Sequence, residues 1–372
     1  MYPAAHRDTM ICSMASERPT RRGFLQAKGI ARELSGLVHR IDDPVAVASK
    51  RSFVVSVRRR AMACEFEVQL AAARDDDAMH HVFEALDLVE ALESQLTVYR
   101  DDSEVVRINQ LANAGPVAVE ARLFGLIEFA KRLQHETEGA LDITSGPLSE
   151  VWGFSRREGR VPTDEQIDET RHRVGMQFVD LDPGRQTIAF RRPDMAINFN
   201  SLGKGYALDR MAELLAAEGI DDILLQGGKS SVLARGNQPG SDEAGWRVGV
   251  RHPLRNSERM AEIVLNNQAL STSGAGTQFF IRRGKRYGHI LDPRTGRPAE
   301  GLYSTTVLAP TATEAEALST AFYVMGPQKA AEYCAAHPEI AALLVAPGTR
   351  EGDVRLIALG PEDNQWLRLA DD

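Results

Sequence analysis

The sequence has few cysteines, and they lie far apart. Only Cys12, Cys64 and Cys334 occur in 372 residues, and no two of them form a CxxC pair. A disulfide framework needs paired cysteines, and a structural zinc site needs clustered ligands, so neither is indicated. We expect Cys334 to be a small buried hydrophobic residue.

Long apolar runs and an excess of positive charge are also missing. No segment approaches the roughly 20 apolar residues of a membrane-spanning helix, so we expect no transmembrane segment. The net charge of -8 argues against a general nucleic-acid binder, because contacts with phosphates need a basic surface. An anionic nucleotide would therefore need a local basic pocket.

The N-terminal residues are charged and aperiodic, and we interpret residues 1–50 as a mobile leader. Within it, TRRGFLQ (residues 20–26) resembles a twin-arginine export motif, but charged residues stand where an apolar run should follow. This favours a cytoplasmic location, with an exported or membrane-associated protein as the alternative. A domain over residues 51–360 and a tail over 361–372 complete the prediction.

The periodicity of apolar residues predicts separate helices and short strands. Residues 77–96 carry an apolar stripe at helical spacing, and a second helix over 121–138 ends at Gly139. A third helix runs over 201–217. Strands mixed with helices, without strict alternation, favour an α+β fold with mixed, largely antiparallel strands. Strands are predicted at 53–57, 65–70, 223–225, 232–234, 246–250, 262–265, 278–281, 305–308, 341–345 and 355–358, and further helices at 312–324 and 328–337.

The first of three polar, glycine-rich segments is GALDITSGPL (residues 139–148), followed by VWGF (151–154). Such segments usually form loops beside helix starts or strand ends, where binding sites are common. A helix cap, a turn and an aromatic anchor would explain the same residues. Both interpretations stay open.

The second segment is NFNSLGKGYALD (residues 198–209), which contains Lys204 between two glycines. Free amides at a helix start attract anions, and the lysine adds a cation, so the segment predicts a cradle for a diphosphate. It has neither the P-loop nor the GxGxxG spacing. An exposed lysine on a capped helix is the alternative. Gly227-Gly228 indicates either close approach to a ligand or a tight turn.

The third segment combines STSG (271–274), GHILDPRTG (288–296) and AEALSTA (315–321). Glu316 and Thr320 are four residues apart on a predicted helix, so their oxygens lie on the same side. This arrangement suits two ligands of a hard cation. A solvated helix face would show the same spacing.

Taken in this order, the segments resemble the FAD:protein FMN transferase family, also called the ApbE family, over about residues 62–326. The resemblance implies an ApbE-like (T-fold-like) flavin transferase fold. It also implies an enzyme that uses Mg²⁺ to cleave the diphosphate of FAD, attaches FMN to a threonine or serine hydroxyl of an acceptor protein, and releases AMP. The motifs that carry it are MAC (62–64), YRDDSEVVRIN (99–109), GALDITSGPLSEVWGF (139–154), LGKGYALD (202–209), GG (227–228), STSG, HILDPRTG (289–296) and AEALSTAFYVMG (315–326).

The resemblance also implies roles for individual residues. Lys204 would hold the diphosphate together with Mg²⁺, His289 would take the proton of the acceptor hydroxyl, and Asp292 would line the reacting diphosphate. For His289, a hydrogen bond that only supports the loop is the alternative. The implied FAD contacts are Met62, Tyr99, Ala140, Leu141, Asp142, Asn198, Lys204 and Ile290, and the implied metal ligands are Glu316, Thr320 and the backbone carbonyl of Ser201.

Several residues near the implied site depart from the family pattern. Asn198, Lys229 and Glu316 stand where aspartate is usual, and Cys64 stands where threonine or serine is usual. The longer arm of Glu316 affects the geometry that an octahedral Mg²⁺ site requires. Three functions are therefore considered: an active FMN transferase, an FAD pyrophosphatase that releases FMN and AMP, and a non-catalytic FAD-binding protein. The transferase is the preferred one.

Overall fold

The computed structural model describes residues 54–71, 76–255, 257–276, 278–350, 352–360 and 366–368. The predicted leader, with its twin-arginine-like motif and Cys12, lies outside the described residues. So do Phe53 at the start of the first predicted strand and most of the predicted tail.

The largest element is an eight-stranded sheet in which every neighbouring pair is antiparallel. Its strand order is β1-β2-β6-β7-β10-β15-β16-β17. These strands are β1 (Val54–Ala61), β2 (Cys64–Ala71), β6 (Ile223–Gly227), β7 (Ser231–Arg235), β10 (Ala269–Gly274), β15 (Ser304–Ala309), β16 (Ala341–Pro347) and β17 (Val354–Leu359).

Four smaller antiparallel sheets also occur among the described residues. They are β3-β5-β4, β18-β9-β8 and the hairpins β11-β12 and β13-β14. Their strands are β3 (Val117–Ala118), β4 (Val179–Asp182), β5 (Thr187–Phe190), β8 (Trp246–Arg251), β9 (Arg259–Leu265), β11 (Phe279–Arg282), β12 (Lys285–Gly288), β13 (Leu291–Asp292), β14 (Arg297–Pro298) and β18 (Trp366–Arg368).

Seven α-helices lie in the described residues, and the last one contains a kink. Gly326 has φ +79° and is followed by Pro327, which together interrupt the helix and confirm the two predicted helical segments. The helices are α1 (Asp76–Leu96), α2 (Glu104–Leu111), α3 (Ala121–Glu136), α4 (Gly146–Val151), α5 (Asp164–Arg171), α6 (Gly203–Ala217) and α7 (Ala312–Ala336). None of them is long and apolar enough to cross a membrane.

Both faces of the large sheet are buried at its central strands, and alternation along those strands explains how. In β6, Ile223 and Leu225 join the core formed with helices α1, α6 and α7. Leu224 points to the other face, where it joins a second core that contains Trp246 of β8. Successive side chains alternate between faces, so a strand covered on both sides is apolar throughout. The predicted α+β class with largely antiparallel strands is confirmed.

The interpretation of STSG as a loop is wrong. Residues 271–274 belong to β10, a strand inside the large sheet that pairs with β7 and β15. The strand was missed because its side chains are small hydroxyls, which carry little apolar signal. Helices α2, α4 and α5 were also not predicted, since each spans only six to eight residues.

Candidate active site

A cavity of about 440 Å³ opens where β10, the start of α6, the middle of α7 and the base of the β11-β12 hairpin meet. It brings together residues that are far apart in the sequence. A neighbouring cavity of about 290 Å³ is lined by Met62 and shares Tyr99 and Lys204 with it. The predicted site residues that line the first cavity are Tyr99, Asn198, Ser201, Lys204, His289, Ile290, Glu316 and Thr320.

An ion pair between Lys204 and Glu316 joins α6 to α7 inside this cavity. Lys204 Nζ contacts Glu316 Oε1, and the other carboxylate oxygen accepts a hydrogen bond from Gly205 N at 2.5 Å. The Glu316 side chain is 5% exposed and that of Lys204 is 24% exposed. The lysine is therefore the partner that a ligand in the cavity can reach.

The rest of the LGKGYALD motif positions α7. A Cβ atom added to Gly205 would lie 2.1 Å from the carbonyl oxygen of Ala312, so α6 and α7 approach as closely as glycine allows. Asp209 accepts hydrogen bonds from the amides of Ala312 and Thr313, both at 2.8 Å, and from the Thr313 hydroxyl at 2.5 Å. Burial raises the pKa of Asp209. The motif thus supplies one cavity residue and two residues that place the helix bearing Glu316.

Several amides at the start of α6 have hydrogen-bond partners within the protein. The amides of Leu202 and Gly203 both donate to the carbonyl of Phe199, and that of Gly205 donates to Glu316. These amides are already paired by the fold. Two basic residues of the cavity wall, Lys204 and Arg157, supply positive charge.

A cluster of hydroxyl groups lies beside Glu316, between β10 and α7. Ser273 Oγ is 2.8 Å from Ser319 Oγ and 2.9 Å from Thr320 Oγ1. Opposite Ser273 on β15, Thr305 Oγ1 is buried without a hydrogen-bond partner among the described residues. Buried hydroxyls are normally paired, and Thr305 is an exception that does not itself line the cavity.

The oxygen ligands in the cavity wall fit a hard cation whose remaining coordination positions are filled by the phosphates of its substrate. The described residues contain no group of three or more His, Cys, Asp or Glu side chains that could hold a metal. Glu316 is the one carboxylate among the described residues of the cavity wall, with Thr320 four residues along the helix. Mg²⁺ commonly binds through one or two carboxylates together with substrate phosphates. A cation here would compete with Lys204 for Glu316 Oε1.

His289 has a defined tautomer. Its Nδ1 lies 3.0 Å from the carbonyl oxygen of Gln278. Because a carbonyl can only accept, Nδ1 carries the proton and donates it, which leaves Nε2 as the basic nitrogen of the neutral ring. Burial lowers the pKa of His289, and the nearby Lys204 cation lowers it further. The imidazole is therefore neutral near pH 7.

Aromatic side chains fix the hairpin that leads into His289. Phe280 of β11 stacks on Tyr287 of β12 with ring centroids 5.1 Å apart, and these rings pack against Phe154 and Trp152. Trp152 Nε1 also donates to the carbonyl of Gly296 at 2.8 Å. The VWGF segment is thus an aromatic anchor for the loops on both sides of His289.

Three of the implied FAD contacts line neither the 440 Å³ cavity nor the neighbouring 290 Å³ cavity. Ala140 and Leu141 are buried in the protein. Asp142 accepts hydrogen bonds from the amide and hydroxyl of Thr144, at 2.8 and 2.6 Å, and from the amide of Met176 at 3.0 Å. Burial raises the pKa of Asp142. In this structure the segment holds two loops together.

Asp292 also lies outside the cavity wall, although its neighbour Leu291 belongs to it. Its carboxylate accepts three hydrogen bonds from Arg294, one from the backbone amide and two from the guanidinium. The DPRTG turn is organised by this pair. The structure therefore does not place the carboxylate beside the other candidate catalytic residues.

Asn109 is a positioning residue that the sequence interpretation did not single out. Its side chain donates to the carbonyl of Ile197 at 3.0 Å and accepts from the Ile197 amide at 2.8 Å. This two-point contact fixes the backbone next to Asn198, which lines the cavity. Its place at the end of the YRDDSEVVRIN motif was the available signal.

The unusual residues Cys64 and Lys229 have different surroundings. Cys64 is half-buried, and burial raises the pKa of its thiol. Lys229 is exposed and does not line the cavity. Between them, Gly228 has φ +65°, and a Cβ atom there would lie 3.3 Å from Cys64 Cβ. The glycine pair is therefore a tight turn packed against Cys64.

A family model described as the ApbE family matches residues 62–344. The chain belongs to the ApbE family. Among curated relatives, the FAD:protein FMN transferase of Escherichia coli (strain K12) is 33% identical over 287 residues, which covers 75% of this chain and 79% of that protein. The corresponding Haemophilus influenzae protein is 31% identical over 77% of this chain and 85% of its own length.

Solved structures agree with this assignment to the ApbE family. The flavin transferase ApbE from Vibrio cholerae superposes with a TM-score of 0.72 at 28% identity, covering 83% of this chain and 97% of that one. The ApbE protein from Thermotoga maritima gives a TM-score of 0.73 at 28% identity, with 82% and 96% coverage. The predicted family, its ApbE-like fold and its class as transferase enzymes are confirmed.

Proposed function

We propose that this chain is an FAD:protein FMN transferase that uses Mg²⁺ to cleave the diphosphate of FAD and attach FMN to a threonine or serine of an acceptor protein. One observation carries the proposal. A single cavity joins a reachable cation, Lys204, with an oxygen ligand pair, Glu316 and Thr320, and a neutral imidazole, His289.

Lys204 is the residue that binds the diphosphate in this mechanism. Its ammonium group lies in a cavity where Glu316 is the one acidic side chain among the described residues. A diphosphate carries more negative charge than one carboxylate, so it attracts the ammonium group away from Glu316. Positioning and neutralisation of charge supply most of the catalysis in phosphoryl transfer.

Glu316, Thr320 and the carbonyl of Ser201 would hold Mg²⁺. All three residues line the cavity, and oxygen ligands are those that Mg²⁺ prefers. A bound divalent cation would neutralise charge on the diphosphate and on the AMP leaving group. When Lys204 moves to the diphosphate, Glu316 Oε1 becomes available for the cation.

His289 is the general base. The proton of the acceptor hydroxyl passes to Nε2 of the neutral ring, while Nδ1 keeps its hydrogen bond to Gln278. The hydroxyl oxygen forms a bond to the FMN phosphorus, and the bond from that phosphorus to the bridging oxygen breaks. AMP leaves with the bridging oxygen, and FMN remains attached to the acceptor.

The flavin ring is placed against Tyr99 in this proposal. Tyr99 is 71% exposed and borders three cavities, one of which contains Met62 and another Ile290. An exposed aromatic ring beside an apolar wall offers a stacking surface for a planar ring system. In this proposal Tyr99 contacts the flavin ring, Lys204 contacts the diphosphate, and Glu316 holds the metal.

The test is turnover by the purified chain with FAD, Mg²⁺ and a set of threonine- and serine-bearing acceptor peptides. AMP release is followed by chromatography, and covalent flavin by fluorescence in a denaturing gel. We expect both products, both lost on chelation of Mg²⁺ and both restored by its return. Lys204→Met should abolish both, whereas Lys229→Met, an exposed lysine outside the cavity, should change neither.

The outcomes separate the alternatives. AMP and free FMN without labelled acceptor would identify an FAD pyrophosphatase. Bound FAD with neither product would identify a flavin-binding protein. Equal loss of activity in Lys204→Met and Lys229→Met would contradict the role given to Lys204.

A further inference from the structure

The β11-β12 hairpin exposes an apolar and basic surface next to the candidate active site. Phe279 and Ile281, two residues apart on β11, are 43% and 65% exposed. They are followed by Arg282 and Arg283, and the two-residue turn at Arg283-Gly284 has positive φ at both positions. Such a turn gives a tight hairpin whose tip projects from the protein.

The hairpin has two distinct faces. Phe280 and Tyr287, which pair across the strands, pack on the aromatic anchor of Trp152 and Phe154. A Cβ atom added to Gly159 would lie 2.7 Å from the Phe280 ring, so the inner face fits closely. The outer face is thus held in place. On it Ile281 is exposed, and Phe279 is partly covered by the guanidinium of Arg286, which lies 3.9 Å from the ring centroid.

The base of the hairpin is joined directly to the candidate base His289. Gln278 precedes β11 and His289 follows β12, and they are linked by hydrogen bonds from His289 N and Nδ1 to the Gln278 carbonyl. A strand of four residues spans about 13 Å. A segment lying along the hairpin therefore reaches from the cavity entrance to the basic tip.

The charge of the hairpin contrasts with that of the whole chain. The chain has a net charge of -8, yet residues 282–286 contain four cations. Lys285 pairs with Glu300 at 2.9 Å, and Arg286 donates to the carbonyl of Ala275. Arg282 and Arg283 form no ion pair with any described residue and remain open to a partner.

We propose that this hairpin is the docking surface for the acceptor protein, which binds as an extended segment with apolar and acidic side chains near its hydroxyl residue. The inference rests on the proposed function. Apolar residues on the segment would cover Phe279 and Ile281, and carboxylates would pair with Arg282 and Arg283. With about 3.3 Å per residue, the acidic residues stand roughly three to four positions from the hydroxyl.

The probe is a fluorescein-labelled peptide of 12 residues with a central threonine that has valine and leucine as neighbours. On each side of the threonine, two glutamates stand three and four positions away. A matched peptide carries lysines in place of the glutamates. Binding is measured by fluorescence anisotropy, which does not depend on turnover. We expect the glutamate peptide to bind at least tenfold more tightly than the lysine peptide.

Variants of the hairpin then test the surface. Ile281→Ser and Arg282→Glu should each weaken binding of the glutamate peptide about tenfold, and Arg282→Glu should improve binding of the lysine peptide. FAD affinity should not change, because neither residue lines the cavity. The matched controls are Leu111→Ser and Arg185→Glu, both exposed and distant in sequence, and they should leave peptide binding unaffected.

Two results would overturn the docking surface. One is unchanged peptide affinity in both hairpin variants. The other is that the hairpin variants lose binding to vesicles of phosphatidylglycerol and phosphatidylcholine while their peptide affinity is unchanged. That result would show that the hairpin binds a membrane surface instead of the acceptor. Hairpin-dependent peptide binding without FMN transfer to any acceptor would support the docking surface and reject the proposed function.

Discussion

Two of the family motifs each contain the tripeptide Ala-Leu-Asp, with the first copy at residues 140–142 and the second at residues 207–209. In both copies the alanine and leucine are buried. In both, the aspartate accepts hydrogen bonds from two backbone amides and one threonine hydroxyl. The difference lies in the partner: Asp142 binds the loop at Met176, whereas Asp209 binds the start of α7, which carries Glu316.

The two copies have the same local chemistry but do not lie equally close to the site. Each buried carboxylate is used to satisfy backbone donors, which is a structural task. Only the second copy helps to shape the cavity, because Asp209 holds α7 in place and α7 supplies Glu316 and Thr320 to the cavity wall. The resemblance to the ApbE family implies that the first copy contacts FAD, whereas its hydrogen bonds indicate a structural role. Variants of the two copies can distinguish these two roles.

The largest effect is expected at the glycine next to Lys204. Gly205→Ala places a methyl group 2.1 Å from a backbone oxygen of α7, so α6 and α7 must separate. We expect a loss of about 3 kcal/mol in the free energy of unfolding, together with loss of activity. Gly203→Ala is the control, because its nearest neighbour lies at 3.6 Å. Denaturant titration measures both, and equal stability of the two variants would show that α6 and α7 do not pack this closely.

The second prediction compares the two aspartates directly. Asp142→Asn and Asp209→Asn each replace a carboxylate oxygen by an amide group that cannot accept, so each should cost about 2 kcal/mol of stability. Asp209→Asn should also weaken Mg²⁺ and FAD binding, because it displaces α7. Calorimetric titration with FAD measures this difference. A drop in FAD affinity in folded Asp142→Asn would instead support a direct contact between FAD and Asp142.

A smaller effect is expected at Gly139, which precedes the first copy and has φ +79°. Gly139→Ala has space for its methyl group, since the nearest atoms lie at 3.5 Å, but the backbone conformation is strained for alanine. We expect a loss of about 1 kcal/mol and unchanged FAD affinity. Thermal unfolding and a fluorescence titration give the two values. Weaker FAD binding would place this segment closer to the ligand than the cavity indicates.

The smallest effect concerns the pH dependence of FMN transfer. A base must be neutral, and burial holds the pKa of His289 below its ordinary value of about 6.5. The rate should therefore rise with pH through that lowered pKa and level off above it. The Lys204 cation contributes to the lowering, so Lys204→Met should raise the pKa of the His289 imidazole, which an NMR titration measures. Asp142→Asn should leave that pKa in place.

Several elements could be predicted because their signal is local. The helix observed at Asp76–Leu96 was expected over 77–96, and its apolar stripe faces the core. The end of α3 near Gly139 and the break at Gly326-Pro327 follow from backbone conformations that glycine and proline favour. The motif residues of α6 and α7 were also selected correctly as neighbours in one cavity.

Other features depend on partners that are distant in the chain. Nothing near Asp209 indicates that it binds an amide 103 residues later. The tautomer of His289 depends on the carbonyl of Gln278 across a hairpin. The segment 271–274 forms a central strand only because β7 and β15 lie on its two sides.

The sequence by itself determined the family, the α+β class and most of the residue types at the site, because motif order, periodicity and turn chemistry are written along the chain. The tertiary structure decided which of those residues share a cavity. It paired Lys204 with Glu316, assigned Gly205 and Asp209 to positioning α7, and left the apolar outer face and the basic tip of the β11-β12 hairpin exposed. These outcomes depend on the packing of helices and strands, and the distances that matter are set only when the chain is folded.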